Sequence, residues 1–259
     1  KLLGQLVVAL VPPLCGLHLR VLHFPGMSDY IELPWIAGVA ISAGWILLIM
    51  NAVNFMDGIN GLAGRFGFWT AVFALFSSVG LYGGEPVIVL CAALIGSVHG
   101  FLRYNLPEAR TFMGDCGSQP LGLFVALLGL VIATIPTTYP IPILGYLLII
   151  SPFVYDVLYT LVKRMMEGKN VLEAHREHLY QRHLIANGED HHTTLFFVEN
   201  HLIAAGIAGA LYMRFAFAPL QSGRQLFFLA IAVAALVHYT LKVRHAERHA
   251  APEVNDAVG

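Results

Sequence analysis

The stretch NLPEARTFMGDCGSQPLG, residues 105–122, lies between one long apolar run that ends near Arg103 and another that begins near Leu121. Its one carboxylate amid small residues, Asp115, sits among Gly114, Cys116, Gly117 and Ser118. Small residues let a ligand approach the backbone, and glycine tolerates positive φ. A carboxylate offers the hard oxygen that suits Mg²⁺ shared with substrate phosphates. Pro107 and the glycines argue against a helix through the whole stretch. It reads as an irregular polar loop between two membrane spans, or as a connecting turn whose Asp caps a helix starting near Ser118.

Outward from that loop the chain is apolar. Of its 259 residues 57% are hydrophobic and only 12% charged, against about 25% charged in soluble domains. The apolar residues form runs near the roughly 17–25 residues that cross a bilayer. Eight are expected: 2–19, 33–53, 67–81, 87–102, 121–135, 141–162, 195–217 and 225–241. The expected fold is therefore all-α: a polytopic integral membrane protein with about eight transmembrane helices. Residues 1–244 would form one transmembrane domain, and residues 245–259 a C-terminal tail.

With eight spans the connections alternate between sides. Arg20, Arg214 and Arg224 fall on one side and the other Lys and Arg residues on the opposite one. The positive-inside rule makes the richer side cytoplasmic. That side carries the three polar loops, near 51–66, 103–120 and 163–194, so an active site on cytoplasmic loops is expected. The connections at 82–85 and 136–140 are short. Net charge is −1, which suggests no nucleic-acid partner. Cys15, Cys91 and Cys116 show neither a disulfide framework nor zinc spacing.

The first polar loop reads NAVNFMDGINGLAG, residues 51–64. Asn51, Asn54, Asp57 and Asn60 recur every three residues, which on a helical or 3₁₀ turn puts them roughly on one face. Such a cluster among apolar residues costs free energy, so a ligand role competes with a plain Asn/Asp-Gly turn. The third loop contains HREHLYQRH, residues 175–183. Its spacing would gather His175, His178 and Arg182 as donors for a pyrophosphate, or form a solvated helix. His191–His192 and the His245/His249 pair lack the further ligands a metal site needs. His99 is expected to pack between helices. Asp156, inside the sixth run, either lines the cytoplasmic cavity or pairs with a basic group. Carboxylates and donors on one membrane face suit phosphoryl transfer, which is mostly positioning and charge neutralisation.

The two motifs carry a resemblance. Residues 51–63 are similar to the N-x-x-N-x-x-D-G-x-D/N-G-L-A signature, and residues 112–118 to the F-M-G-D-x-G-S signature, of the polyprenyl-phosphate N-acetylhexosamine-1-phosphate transferases (glycosyltransferase family 4). That family includes the phospho-MurNAc-pentapeptide translocase and the GlcNAc-1-phosphate transferases that start O-antigen and teichoic-acid assembly. The resemblance implies that Asp115 is a Mg²⁺ ligand, with Mn²⁺ as a substitute, and that Asp57 is an active-site aspartate. It implies that Phe112 stacks on uracil and that Asn54, Asn60 and Asn105 surround the nucleotide and phosphates. His178 matches the first position of the family's histidine motif and, with Arg182, would contact the diphosphate.

Two departures stand out. The H-x-H-H pattern reads His178-Leu-Tyr-Gln181 here, and the second aspartate of D-G-x-D-G is Asn60. The family's paired aspartates would lie just upstream of Lys1, and the chain reads as a fragment lacking earlier spans. The implied substrates are a UDP-N-acetylhexosamine and undecaprenyl phosphate, at a bacterial inner membrane, with UMP released. A transporter of anionic solutes is the alternative from another class, although it would place polar groups near the bilayer midplane. A CDP-alcohol phosphotransferase is disfavoured because its D-G-x-x-A-R motif is absent. The sequence does not identify the sugar. It does not set the oligomeric state, although packing through Gly and Ala is expected and a homodimer is admitted.

Overall fold

The computed structural model describes residues 2–25, 27, 29–80, 83–135, 141–171, 173, 175–215 and 222–250. The chain is an all-α membrane protein. Its helices are α1 (Leu2–Leu14), α2 (Trp35–Met56), α3 (Leu62–Ser78), α4 (Glu85–Asn105), α5 (Gly114–Thr134), α6 (Ile143–Met166), α7 (Leu179–Ala186), α8 (His191–Arg214) and α9 (Ser222–Ala250). A two-residue antiparallel ladder, β1 (Val21–Leu22) with β2 (Ile31–Glu32), pairs Val21 with Glu32 between α1 and α2.

The helix ends follow local chemistry. Pro34 precedes α2, and Pro86 occupies the first turn of α4, where the missing N–H costs nothing. Leu106-Pro107 ends α4, because the residue before proline is pushed to extended geometry. Asp190 caps α8 by accepting from the His192 and Thr193 amides at 2.9 and 3.3 Å. Lys163 and Arg164 fall in the last turn of α6, where they oppose the helix dipole.

Each expected apolar run centres on a helix, but bounds and lengths differ: residues 15–19 of the first run lie beyond the end of α1. Among the described residues six helices are long and apolar enough to cross a membrane: α2, α4, α5, α6, α8 and α9. The count of eight is not reached. α1 has 13 residues, and α3 has 17 with Arg65 in its first turn, both short of the roughly 20 that a span needs. α5 begins seven residues earlier than expected, so Asp115 lies on a helical first turn and not in an irregular loop. α9 continues through Ala250, so residues 245–250, read as tail, are helical. Lys1, Tyr82, residues 136–140 and 251–259 lie outside the described residues. His99, expected between helices, is on the exposed face of α4.

Packing brings the polar ends together. α2 lies against α5, α6 against α8, and α3 against α4 and α8. A Cβ on Gly122 would meet the Met50 Cα at 2.7 Å, so only glycine lets α5 come this close to α2. The Phe66 and Phe153 rings stack at 3.9 Å between α3 and α6. Two polar groups in the apolar interior find backbone partners: Trp45 Nε1 donates to the Ala126 carbonyl at 3.0 Å, and the Tyr146 hydroxyl to Val125 at 2.7 Å. Arg65 and Trp69 both reach Glu199, at 2.9 and 2.6 Å, and so tie α3 to α8.

Candidate active site

α2 carries the first motif to its last turn. Asn54 donates from Nδ2 to Asp115 Oδ1 at 2.6 Å and to Ser118 Oγ at 2.9 Å. Both amide hydrogens thus go to α5, and the two motifs meet directly across 61 residues of sequence. Asn51, one turn earlier, serves a different neighbour. Its Oδ1 accepts from Gln5 Nε2 at 3.1 Å, and Gln5 also donates to Gln119 at 2.8 Å. The single polar face expected from the three-residue spacing therefore divides. Helical geometry ends at Asp57, so Asn60 does not continue the face.

Asp57 stands where α2 stops (φ −84°, ψ 55°). Its carboxyl is pushed up to about 6, first by burial and further by the charge of Asp115, against a backbone hydrogen bond from Gly114. Gly114 has φ +54°, a left-handed geometry that glycine adopts without cost. It sets Asp115 in the first turn of α5, exposed at the positive end of the helix dipole. Among the described residues no group of three or more His, Cys, Asp or Glu converges into a metal cage. Two carboxylates that raise each other's electrostatic cost fit a different kind of ion. Mg²⁺ is usually held by one or two carboxylates, with water and substrate phosphates completing the shell.

The glycines of the first motif are explained by what they touch. A Cβ on Gly58 would run into the Tyr180 hydroxyl oxygen, which itself donates to the Phe55 carbonyl at 3.2 Å. Gly61 has φ +80° and is packed under the Leu106 side chain. Its amide donates to Asn105 Oδ1 at 2.5 Å, while Asn105 Nδ2 donates to the Thr111 carbonyl at 2.7 Å. Asn105 is buried, with both ends of its amide on backbone. It clamps the two motif loops together. Phe112, in contrast, is 78% exposed beside Asp115 in sequence, a ring free to take a flat partner.

The histidine loop joins the same end. His178 is the N-cap of α7 and is buried. Its ring stacks on Phe55 at 5.9 Å and lies 4.9 Å from His175. Arg182 does not gather with it. The guanidinium is bound through Nε and Nη2 to Glu247 of α9, both at 2.7 Å. The expected i, i+4 pairing fails because His178 has extended backbone (ψ 147°), so the helical spacing starts one residue too late. Asp156 does pair with a basic group, at His178 Nδ1, and it lies fully buried. Sequence reading missed Tyr180 and Gln5 as site-shaping residues. No local pattern marks them, since each acts through a partner more than forty residues away.

Two cavities flank these groups. One, of about 470 Å³, is lined by Gln5 and Val8 of α1, Met50 of α2, and Asp115, Gln119 and Leu123 of α5, so Asp115 borders a mostly apolar groove. The other, of about 400 Å³, holds Asn60 with Arg65, Leu106, His191, His192 and Phe196. Asn60 thus faces a recess of mixed polarity between the first motif and the start of α8.

Residues 1–133 match the sequence profile of Glycosyl transferase family 4. Over 93% of its length the chain is 31% identical to a decaprenyl-phosphate N-acetylglucosaminephosphotransferase of Mycolicibacterium smegmatis, covering 62% of that protein. It is 30% identical, over 76% of its length, to a Bacillus subtilis protein named "Probable undecaprenyl-phosphate N-acetylglucosaminyl 1-phosphate transferase", covering 54% of it. Similarity at 30% identity extends over 51% of the chain to a phospho-N-acetylmuramoyl-pentapeptide-transferase of Listeria monocytogenes, covering 41% of that protein. The chain thus spans about three-fifths or less of these relatives' own lengths.

Proposed function

The chain belongs to Glycosyl transferase family 4, and from that premise we propose that it transfers an N-acetylhexosamine 1-phosphate from a UDP-sugar to undecaprenyl phosphate at a bacterial inner membrane. The observation that carries this reading is the Asn54–Asp115 bond, which joins both motifs at the edge of an apolar groove. A lipid phosphate and a water-soluble pyrophosphate need such a meeting point.

Asp115 and Asp57 would hold Mg²⁺, which supplies positive charge to the pyrophosphate oxygens. Asn54 fixes the Asp115 carboxylate and Ser118 relative to α2. The prenyl chain lies along the groove between α1, α2 and α5, and its phosphate approaches from the Asp115 end. An acceptor phosphate oxygen attacks the sugar-bearing β-phosphorus. The bond from that phosphorus to the bridging oxygen breaks, its electron pair leaves with UMP, and the sugar phosphate stays on the lipid. Phe112 offers its exposed ring to the uracil. His178 meets a phosphate oxygen, whereas Arg182, committed to Glu247, braces α7. Asn60 contacts the donor from its own recess. The three loops face the cytoplasm, where nucleotide sugars are made.

The test is a panel of UDP-N-acetylhexosamines offered to the detergent-solubilised full-length protein with undecaprenyl phosphate and Mg²⁺. Release of UMP together with a new sugar-bearing lipid is expected from at least one donor. Absence of lipid product from every donor would overturn the reading.

A further inference from the structure

The loop bearing His178 is anchored by a group that the donor site itself does not use. Asp156 lies in α6, fully buried. Its Oδ1 accepts from His178 Nδ1 at 3.2 Å and from the Leu179 amide at 2.8 Å. Its Oδ2 accepts from the Tyr180 amide at 2.9 Å and from the Tyr239 hydroxyl at 3.0 Å. Four donors from the histidine loop, α7 and α9 thus converge on one carboxylate, and the Thr160 hydroxyl of α6 adds a longer fifth to Oδ1 at 3.4 Å. Two of them are first-turn amides of α7, which have no partner inside the helix. A cap of that kind explains the amide bonds but does not require the ring.

The ring has its own constraint. It is 3% exposed and stacked against Phe55, the residue after Asn54. Each carboxylate oxygen already accepts a backbone N–H, so Asp156 faces the imidazole as an acceptor. The proton of that contact then sits on Nδ1. Which nitrogen of a histidine is free is set by the bond that the other one makes. We infer that Asp156 is a positioning residue for the transfer reaction, holding His178 through Nδ1–H so that Nε2 is the ring nitrogen left for the substrate phosphates, to which it donates when it too carries a proton. Tyr239 extends this anchor to α9, and the Arg182–Glu247 pair joins α7 directly to α9. The inference rests on the proposed role of His178 in transfer, whereas the tautomer it assigns can be measured without turnover.

Two measurements on the full-length protein decide it. Heteronuclear NMR of histidine-labelled wild type, with the His178 signal identified by its loss in His178→Ala, should report a proton on Nδ1. A neutral ring protonated on Nε2 alone would overturn the assignment whatever the turnover of the Asp156 and Tyr239 variants. In the transfer assay, Asp156→Asn keeps the shape but turns an amide N–H₂ toward donors. It should lower kcat by about 10–100-fold, the usual size of such an effect, with the donor KM within about 3-fold. Tyr239→Phe removes one donor without touching the ring and should stay within about 3-fold of wild type, as expected when the coupled pair is left intact. The double variant Asp156→Asn/His178→Ala should be no slower than His178→Ala alone. If the two losses multiply, Asp156 acts only as a structural cap and the inference fails. If wild type makes no lipid product while the ring is protonated on Nδ1, the functional reading has failed and the assigned geometry stands.

Discussion

At Asp57 burial and a neighbouring carboxylate both oppose the charge that the site needs. Its folded value, about 6, lies above the ordinary 3.8. A carboxyl raised in this way contributes stability that is complete below about pH 4 and is lost as pH rises through about 6. In metal-free protein Asp57→Asn should therefore raise the melting temperature at about pH 7.5 and not at about pH 4. The gain is about 1 kcal/mol once the partial exposure of the group is discounted. Added Mg²⁺ should erase the wild type's disadvantage. An identical difference at both pH values would show that the charge of Asp57 is not under strain. Asp115 is the sharper case for activity. Asp115→Asn should cost at least about 100-fold in turnover with the fold intact, since removing a single electrostatic stabiliser costs about that much. A variant retaining a third of wild-type rate would remove Asp115 from the metal role. Both aspartates are legible in sequence because a carboxylate among glycines inside apolar runs is costly and conspicuous. Asp156 is harder to read, because its partners His178 and Tyr239 are assembled from two other elements.

Among the elements, the contact of Gly58 with Tyr180 couples the first motif to the histidine loop. Gly58→Ala would drive a Cβ into the tyrosine oxygen and cost about 1–3 kcal/mol in overpacking. The larger effect should be on turnover, because Tyr180 can move only by shifting α7 and His178. Tyr180→Phe removes the clashing oxygen, so the double variant should recover most of the rate lost by Gly58→Ala. Recovery absent, the coupling runs elsewhere. The α5 start supports a labelling experiment. Cys116 is exposed beside Asp115, Cys91 is buried, and Cys15 is exposed at the end of α1. In a Cys15→Ser background a water-soluble thiol reagent should modify Cys116, and UDP-sugar with Mg²⁺ should slow it. Labelling indifferent to ligand would separate this turn from the site. The early start of α5 was not legible in the sequence. Gly114, Gly117 and Pro120 read as loop formers, yet the helix forms because α2 packs against it and Asn54 binds both Asp115 and Ser118. At Arg182 the opposite holds: the spacing from His178 looks helical, yet His178 is an N-cap residue with extended backbone.

Over the whole molecule, apolar length alone identifies a multi-pass helical membrane protein, and among the described residues six helices satisfy that length. The other two expected spans, at α1 and α3, are harder to place from sequence. Continuous hydrophobicity around 2–19 and 67–81 does not reveal where hydrogen bonding stops, or that Arg65 finds Glu199 across the bundle. What the fold adds is convergence: the ends of α2 and α4 and the starts of α5 and α7 meet through the side chains of Asn54, Asn105 and Tyr180. If that end is a site for phosphoglycosyl transfer, the β-phosphorus of the donor must leave the nucleotide together with the sugar. The most direct measurement is a donor radiolabelled at the β-phosphate, using the UDP-N-acetylhexosamine that the panel selects, with undecaprenyl phosphate and the full-length protein. The label should move into organic-extractable lipid while the released nucleotide is unlabelled UMP, and Asp115→Asn should block both. Label retained in UDP, or carried across the membrane in intact UDP-sugar, would contradict the account.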